Sequence, residues 1–152
     1  MADTLVSVDP ASGATVWEGP VASADDVEAA LERAGTAAPD WARRPADDRD
    51  QVARDFARQL DADRDELASV IATETGKPMW EAGTEVGAMI GKIEHSIRSR
   101  DRRAGIVHAD VGGVASVVRH RPHGVAAVLG PYNFPGHLPN GHIVPALSLI
   151  HI

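Results

Sequence analysis

The stretch that most constrains this chain is 125–147, where five apolar residues, Val125, Ala126, Ala127, Val128 and Leu129, run into Gly130 and a proline-bounded turn. Five residues are too few to cross a membrane and suit a buried parallel strand, which must give way to a turn at Gly130. Pro131 and Pro135 bracket Tyr132, Asn133 and Phe134, so the backbone there is stiff and Asn133 is held at the carboxyl end of the predicted strand. Ligands of open α/β sheets bind at that end. A neutral amide fixed there suits a donor role toward an oxygen that gains negative charge during reaction. Asn also closes turns, so on these residues alone Asn133 is either a donor or a turn former.

A chain of 152 residues can bury one respectable core. Its net charge is -7, with both signs interspersed along the helical part, which gives no reason to expect a nucleic-acid partner. Met1, Ala2, Asp3 and Thr4 supply neither a positive n-region nor an apolar h-region, so no secretory signal and no membrane attachment are expected, and the cytoplasm is the default location. There is no cysteine, which excludes disulfides, zinc-thiolate sites and a thiolate nucleophile within this chain.

β-branched residues on both sides of Pro10, Ala11, Ser12 and Gly13 predict a hairpin over 6–17. Ser23 is placed to cap a helix carrying Asp25 and Asp26 in its first turn and Val27, Ala30, Leu31 and Ala34 at helical spacing, with Pro39 beyond its end. A second helix from Pro45 or Ala46 should bury Val52, Ala53, Phe56, Ala57 and Leu60 and turn Arg and Asp outward. A third follows Asp61, carries Leu67, Val70 and Ile71, and closes at 74–78, where Gly76 can take the left-handed cap and Pro78 halts the helix.

The longest helix runs from Pro78 to about Arg98 with an apolar stripe of Val86, Ile90, Ile93 and Ile97. Gly83, Gly87 and Gly91 recur along it, each costing about 1 kcal/mol relative to Ala; the row either admits a close neighbour or merely weakens the helix. Residues 101–113 read as a polar connection with one short strand at Ile106 and Val107, and 114–119 as a strand. Residues 137–147 read as a helix in which Pro139 is tolerated near the start and a deeper proline bends the axis. No repeat or low-complexity tract is present.

Other candidate sites compete with Asn133. His120, His123, His137 and His142 crowd a short region, but no carboxylate accompanies them at ligand spacing and Pro122 keeps the first pair off one helix face, so no metal is expected. Glu81 and Glu85 stand one helical turn apart, as acid-base partners can, yet on a long surface helix they read as a solvated face. Residues 130–136 have the glycines of a phosphate loop, but no Gly-Lys-Ser/Thr follows and the prolines remove backbone donors.

The string from Arg119, His120, Arg121, Pro122, His123 and Gly124 through Leu147 closely resembles the first strand and following helix of the cofactor domain of aldehyde dehydrogenases. Many members carry a Pro-Trp-Asn-Phe-Pro core. Tyr132 and the Gly-His-Leu-Pro-Asn-Gly-His continuation at 136–142 point to the succinylglutamate-semialdehyde branch of arginine catabolism. The resemblance covers about 7–147 and includes the Glu-Thr-Gly-Lys-Pro run at 74–78. It implies an α/β fold, incomplete here: 1–113 as a hairpin and helical layer, 114–123 as a strand and linker to an oligomerisation sheet, and 124–147 as the first strand-turn-helix of a parallel cofactor-binding core.

By that resemblance Asn133 is the catalytic amide at the oxyanion of a thiohemiacetal. Pro131 and Tyr132 line the nicotinamide-ribose side of an NAD cleft, NADP being the alternative, and Phe134 stands either beside the aldehyde channel or in the core. The implied reaction oxidises an aldehyde, N-succinylglutamate 5-semialdehyde in this branch, within a homo-oligomer of the full-length protein. The family's nucleophilic Cys and basic Glu lie in segments downstream of the strand and turn. Residues 148–152 depart from the family's Gly-Asn continuation, and the expectation is that they are a truncation or an artefact. The chain alone is therefore expected to be inactive and, with apolar faces left uncovered, prone to aggregate. The alternatives are a non-catalytic helical interaction module and a dehydrogenase for another semialdehyde.

Overall fold

Sequence order turns into structure largely through one helix. The computed structural model describes residues 3–149. Strands β1 (Thr4–Val8) and β2 (Thr15–Pro20) form the predicted hairpin, with Thr4 opposite Pro20 and a bulge between Ser7 and Val8. Four helices follow: α1 (Ala24–Arg43), α2 (Ala46–Ala62), α3 (Arg64–Thr75) and α4 (Met79–Arg103). Strands β3 (Val107–Val111) and β4 (Val114–Val118) make a second antiparallel hairpin, and α5 (His137–Leu149) closes the described part. Of the 148–152 stretch, Ser148 and Leu149 continue α5, and residues 150–152 lie outside the described residues.

Helix α4 is the axis against which α2, α3 and α5 pack. Three of the four residues of its predicted stripe are buried, Val86 and Ile93 wholly and Ile97 nearly so, each worth about 1.5–3 kcal/mol in apolar transfer, while Ile90 is half-buried against both clusters. Ile93, Ile97 and Met89 meet Leu60 of α2 and Val144 of α5; Ala82 and Val86 meet Ala68 and Ile71 of α3. Ser23 caps α1 through a reciprocal pair with Asp26, as read from the sequence. Gly76 ends α3 at φ 72°, the left-handed conformation that the Gly-Lys-Pro run predicts.

Several expectations are corrected. Helix α1 runs through Pro39 to Arg43. The lost N–H leaves the carbonyl of Gly35 on an exposed turn, and the last turn is held by buried Ala38 and by Trp41, whose Nε1 donates to the Leu147 carbonyl at 3.0 Å. In α2 the inward face carries Arg49, Asp50 and Leu60, while Val52 and Phe56 stay about two-fifths exposed. Arg100 of α4 clamps Asp50 with both terminal nitrogens, so these charges are buried as a pair.

The segment 107–111 is a full strand, turned by Gly112 and Gly113 at φ 63° and 80°, as a two-residue hairpin turn demands. The strand expected at 125–129 has no regular secondary structure. A strand exists only as part of a ladder, and both sheets among the described residues are antiparallel hairpins elsewhere. The glycine row of α4 admits no close neighbour: a Cβ at Gly83 or Gly91 would meet nothing, and one at Gly87 only Arg64 at 3.6 Å.

Candidate active site

The turn that carries Asn133 is fastened to α4 by a buried ion pair. Lys77, between α3 and α4, places Nζ 2.6 Å from Glu85 Oε2 and donates to the Asn133 carbonyl at 2.9 Å. The same ammonium sits 4.2 Å from the centre of the Phe134 ring. Glu85 Oε1 accepts the N–H groups of Gly136 at 2.9 Å and His137 at 3.0 Å. The Lys77 and Glu85 side chains are 8% and 1% exposed, so this network is shielded from bulk water.

Local sequence explains each part. Glu85 falls on the buried stripe, in step with Ala82, Met89 and Ile93, so α4 carries it inward toward the turn. The left-handed Gly76 and the helix stop at Pro78 leave Lys77 in the link between α3 and α4. Gly136 permits close approach: a Cβ there would lie 2.6 Å from Met89 Sδ. One turn into α5, Asn140 donates Nδ2–H to the Met89 carbonyl at 3.0 Å and is itself buried.

The reading of Glu85 as part of a solvated face is therefore wrong. Burial pushes its carboxyl up, but the Lys77 ammonium and the amides of His137 and Gly136 outweigh that and hold it below the usual carboxylate range. The ionised carboxylate satisfies two of the donors that every helix leaves unpaired at its start, and it lies at the favourable end of the α5 dipole. A dinucleotide pyrophosphate seeking those amides would find them taken, which agrees with rejecting 130–136 as a phosphate loop.

Tyr132, Asn133 and Phe134 together line an open cleft of about 440 Å³, whose other walls include Lys77, Glu81 and Pro10. Asn133 and Tyr132 are exposed, Tyr132 at 92%, and Phe134 is half-buried beneath the ammonium while still lining the cleft. Pro131 is exposed next to Tyr132 but is not among the lining residues. This edge offers an accessible ring and proline face to a nicotinamide and its ribose and no cradle for phosphates, so the residues present fit one end of a dinucleotide.

Among the described residues no group of three or more His, Asp or Glu side chains is placed to hold a metal. Likewise, no helix among them is long and apolar enough to cross a membrane. Sequence reasoning weighed Glu85 and set it aside as solvated, and gave Lys77 no role of its own. The available signal was the register of Glu85 within the apolar stripe.

The Aldehyde dehydrogenase family model matches residues 1–149. The N-succinylglutamate 5-semialdehyde dehydrogenase of Chromohalobacter salexigens is 56% identical over 143 residues, covering 94% of this chain and 29% of the relative. The protein of that name from Chromobacterium violaceum is 52% identical over 95% of this chain and 30% of its own. The chain thus spans about three-tenths of the length of the curated relatives it matches. Among solved structures, the NADP-dependent glyceraldehyde-3-phosphate dehydrogenase of Bacillus halodurans, complexed with NADP, superposes with a TM-score of 0.90 at 26% identity, covering 98% of this chain and 33% of that one. The NAD-dependent benzaldehyde dehydrogenase of Corynebacterium glutamicum gives 0.89 at 26% identity over 99% and 33%.

Proposed function

The chain belongs to the aldehyde dehydrogenase family, and from that premise we propose that Asn133 is the side-chain oxyanion donor in an NAD(P)-dependent oxidation of N-succinylglutamate 5-semialdehyde to N-succinylglutamate. The observation that carries this reading is the anchoring of the turn. Its backbone is fastened at the Asn133 carbonyl and at the Gly136 and His137 amides, while Asn133 itself remains exposed on the cleft wall. A donor held this way pays little reorganisation when charge develops on the substrate oxygen. The substrate assignment rests on the names of the two curated relatives described above.

In this reading a thiolate adds to the aldehyde carbon and the carbonyl oxygen becomes an anion beside the Asn133 amide. The thiolate and the general base are supplied from outside this chain, which has no cysteine. NAD or NADP, when bound, supplies the hydride acceptor. Tyr132 and Pro131 border the ribose side and Phe134 the aldehyde channel. The chain alone is inactive, because an oxyanion donor without a nucleophile has no covalent intermediate to stabilise.

The same reading divides the chain into a helical layer over 1–113, a link over 114–123 and the start of the cofactor core from 124. The full-length protein is a cytoplasmic homo-oligomer, and the exposed Val107, Val111, Val114, Val117 and Val118 of the second hairpin support pairing there.

The test is a chimera in which residues 1–147 replace the matching segment of the Chromohalobacter salexigens relative, assayed for reduced nicotinamide formation with a panel of semialdehydes. Asn133→Ala should lower kcat on the order of 100- to 1000-fold with little change in KM. Parental kcat in that variant overturns the role of Asn133. Equal kcat/KM across the panel overturns the substrate.

A further inference from the structure

We propose that Lys77 and Glu85 are positioning residues for Asn133, a three-way clamp that sets the height of the oxyanion-donating turn on α4; the proposal rests on the reading of Asn133 given above. The Lys77 ammonium has three donors and three recipients: the Glu85 carboxylate at 2.6 Å, the Asn133 carbonyl at 2.9 Å and the face of Phe134 at 4.2 Å. One of these is the backbone of the donor residue itself. Glu85 holds the other end of the turn through Gly136 and His137. The clamp thus fixes both sides of a four-residue span, 133–136, and the Asn133 amide is carried by that span.

The chemistry of the pair is not replaceable by near relatives. Arg keeps the charge but spreads its donors over a planar fork, which cannot aim at three recipients from one nitrogen. Gln at 85 has one oxygen and one NH₂ group. With the oxygen toward the two amides its NH₂ faces the Lys77 ammonium, and with the oxygen toward Lys77 its NH₂ faces the amides, so either orientation sets donor against donor. Glu85 is buried at 1% exposure, and Lys77, although it borders the cleft, has its ammonium taken up by Glu85, the Asn133 carbonyl and the Phe134 ring. Their effect on the reaction passes through Asn133.

A double-mutant cycle in the chimera separates positioning from general stabilisation. Lys77→Arg, Lys77→Met and Glu85→Gln are each made alone and in the Asn133→Ala background, and kcat is measured on whichever of the three remain folded. A donor displaced by about 1 Å loses on the order of 100-fold in rate. That loss is expected in the parental background and should shrink to less than about threefold in the Asn133→Ala background, with KM for NAD unchanged, because the group being positioned is gone.

An equal loss in both backgrounds, or no loss in the parental one, overturns the proposal and leaves the role of Asn133 intact. Parental kcat in Asn133→Ala alone instead overturns the underlying reading of Asn133, and the clamp with it.

Discussion

Replacing Glu85 by Gln should loosen the start of α5 far more than it disturbs the rest of the chain. In the parent, one carboxylate oxygen accepts two amides and the other meets an ammonium, all with the side chain 1% exposed. Hydrogen bonds to a charged acceptor are worth about 1.5–3 kcal/mol and neutral ones about 1, and the substitution also sets a donor against a donor. The net loss is about 2–3 kcal/mol, equivalent to roughly 30- to 150-fold in an opening equilibrium. Amide exchange read by mass spectrometry on the peptide containing Gly136 and His137 should accelerate by that factor at neutral pH, while peptides from the middle of α4 keep their rates. The ratio of variant to parent rates cancels the intrinsic pH dependence of exchange. Because Glu85 is held below the ordinary carboxylate range in the fold, its contribution is complete above about pH 4.3 and is lost as the pH falls through the lower folded value. The ratio should therefore fall toward one in acid. A ratio near one at neutral pH, or one unchanged in acid, would refute the account of the buried carboxylate.

Three further substitutions probe the scaffold. Gly76→Ala should destabilise by about 1–2 kcal/mol, since the φ of 72° disfavours any Cβ and the added atom would lie 2.8 Å from Pro10 Cγ; a thermal midpoint equal to the parent's would contradict this. Gly91→Ala should stabilise by about 1 kcal/mol and raise the thermal midpoint by a few degrees, because its Cβ meets open space on an exposed helical turn; a lowered midpoint would show an unrecognised close neighbour. Asp50→Leu alone should cost about 2–3 kcal/mol, because Arg100 loses its buried partner and keeps only the exposed Asp101, and adding Arg100→Met should restore most of it in urea unfolding; a double variant as weak as the single one would mean the pair is not the unit.

What the sequence revealed and what it concealed divide by the range of the interactions. The Ser23 cap, the left-handed Gly76 and the 86-90-93-97 stripe are each decided within a few residues, so spacing alone exposes them. The Asn133 turn is equally local, since two prolines define it. The persistence of α1 through Pro39 is not local: its last turn is held by a hydrogen bond to Leu147, 106 residues away. Burial of Asp50 depends on Arg100, 50 residues on, and burial of Glu85 on amides 51 and 52 residues on. A charged residue on a helix defaults to solvent until such a partner is known. The apolar 125–129 run failed as a strand for a related reason, because strand character belongs to a ladder and no strand among the described residues pairs with it.

The buried carboxylate also bears on the role proposed for Asn133, since it occupies a helix start that could otherwise hold a phosphate. In a glycine-rich dinucleotide loop the first amides of the helix point at the ligand, and the helix dipole favours its charge. Here Glu85, presented by a neighbouring helix, fills that position from within the protein and is itself neutralised by Lys77. The amides that would have bound an anion instead hold the turn down on α4, and the prolines at 131 and 135 stiffen what lies between. The outcome is an exposed amide on an internally hydrogen-bonded support, an arrangement that suits the proposed stabilisation of a transient oxyanion better than the gripping of a pyrophosphate.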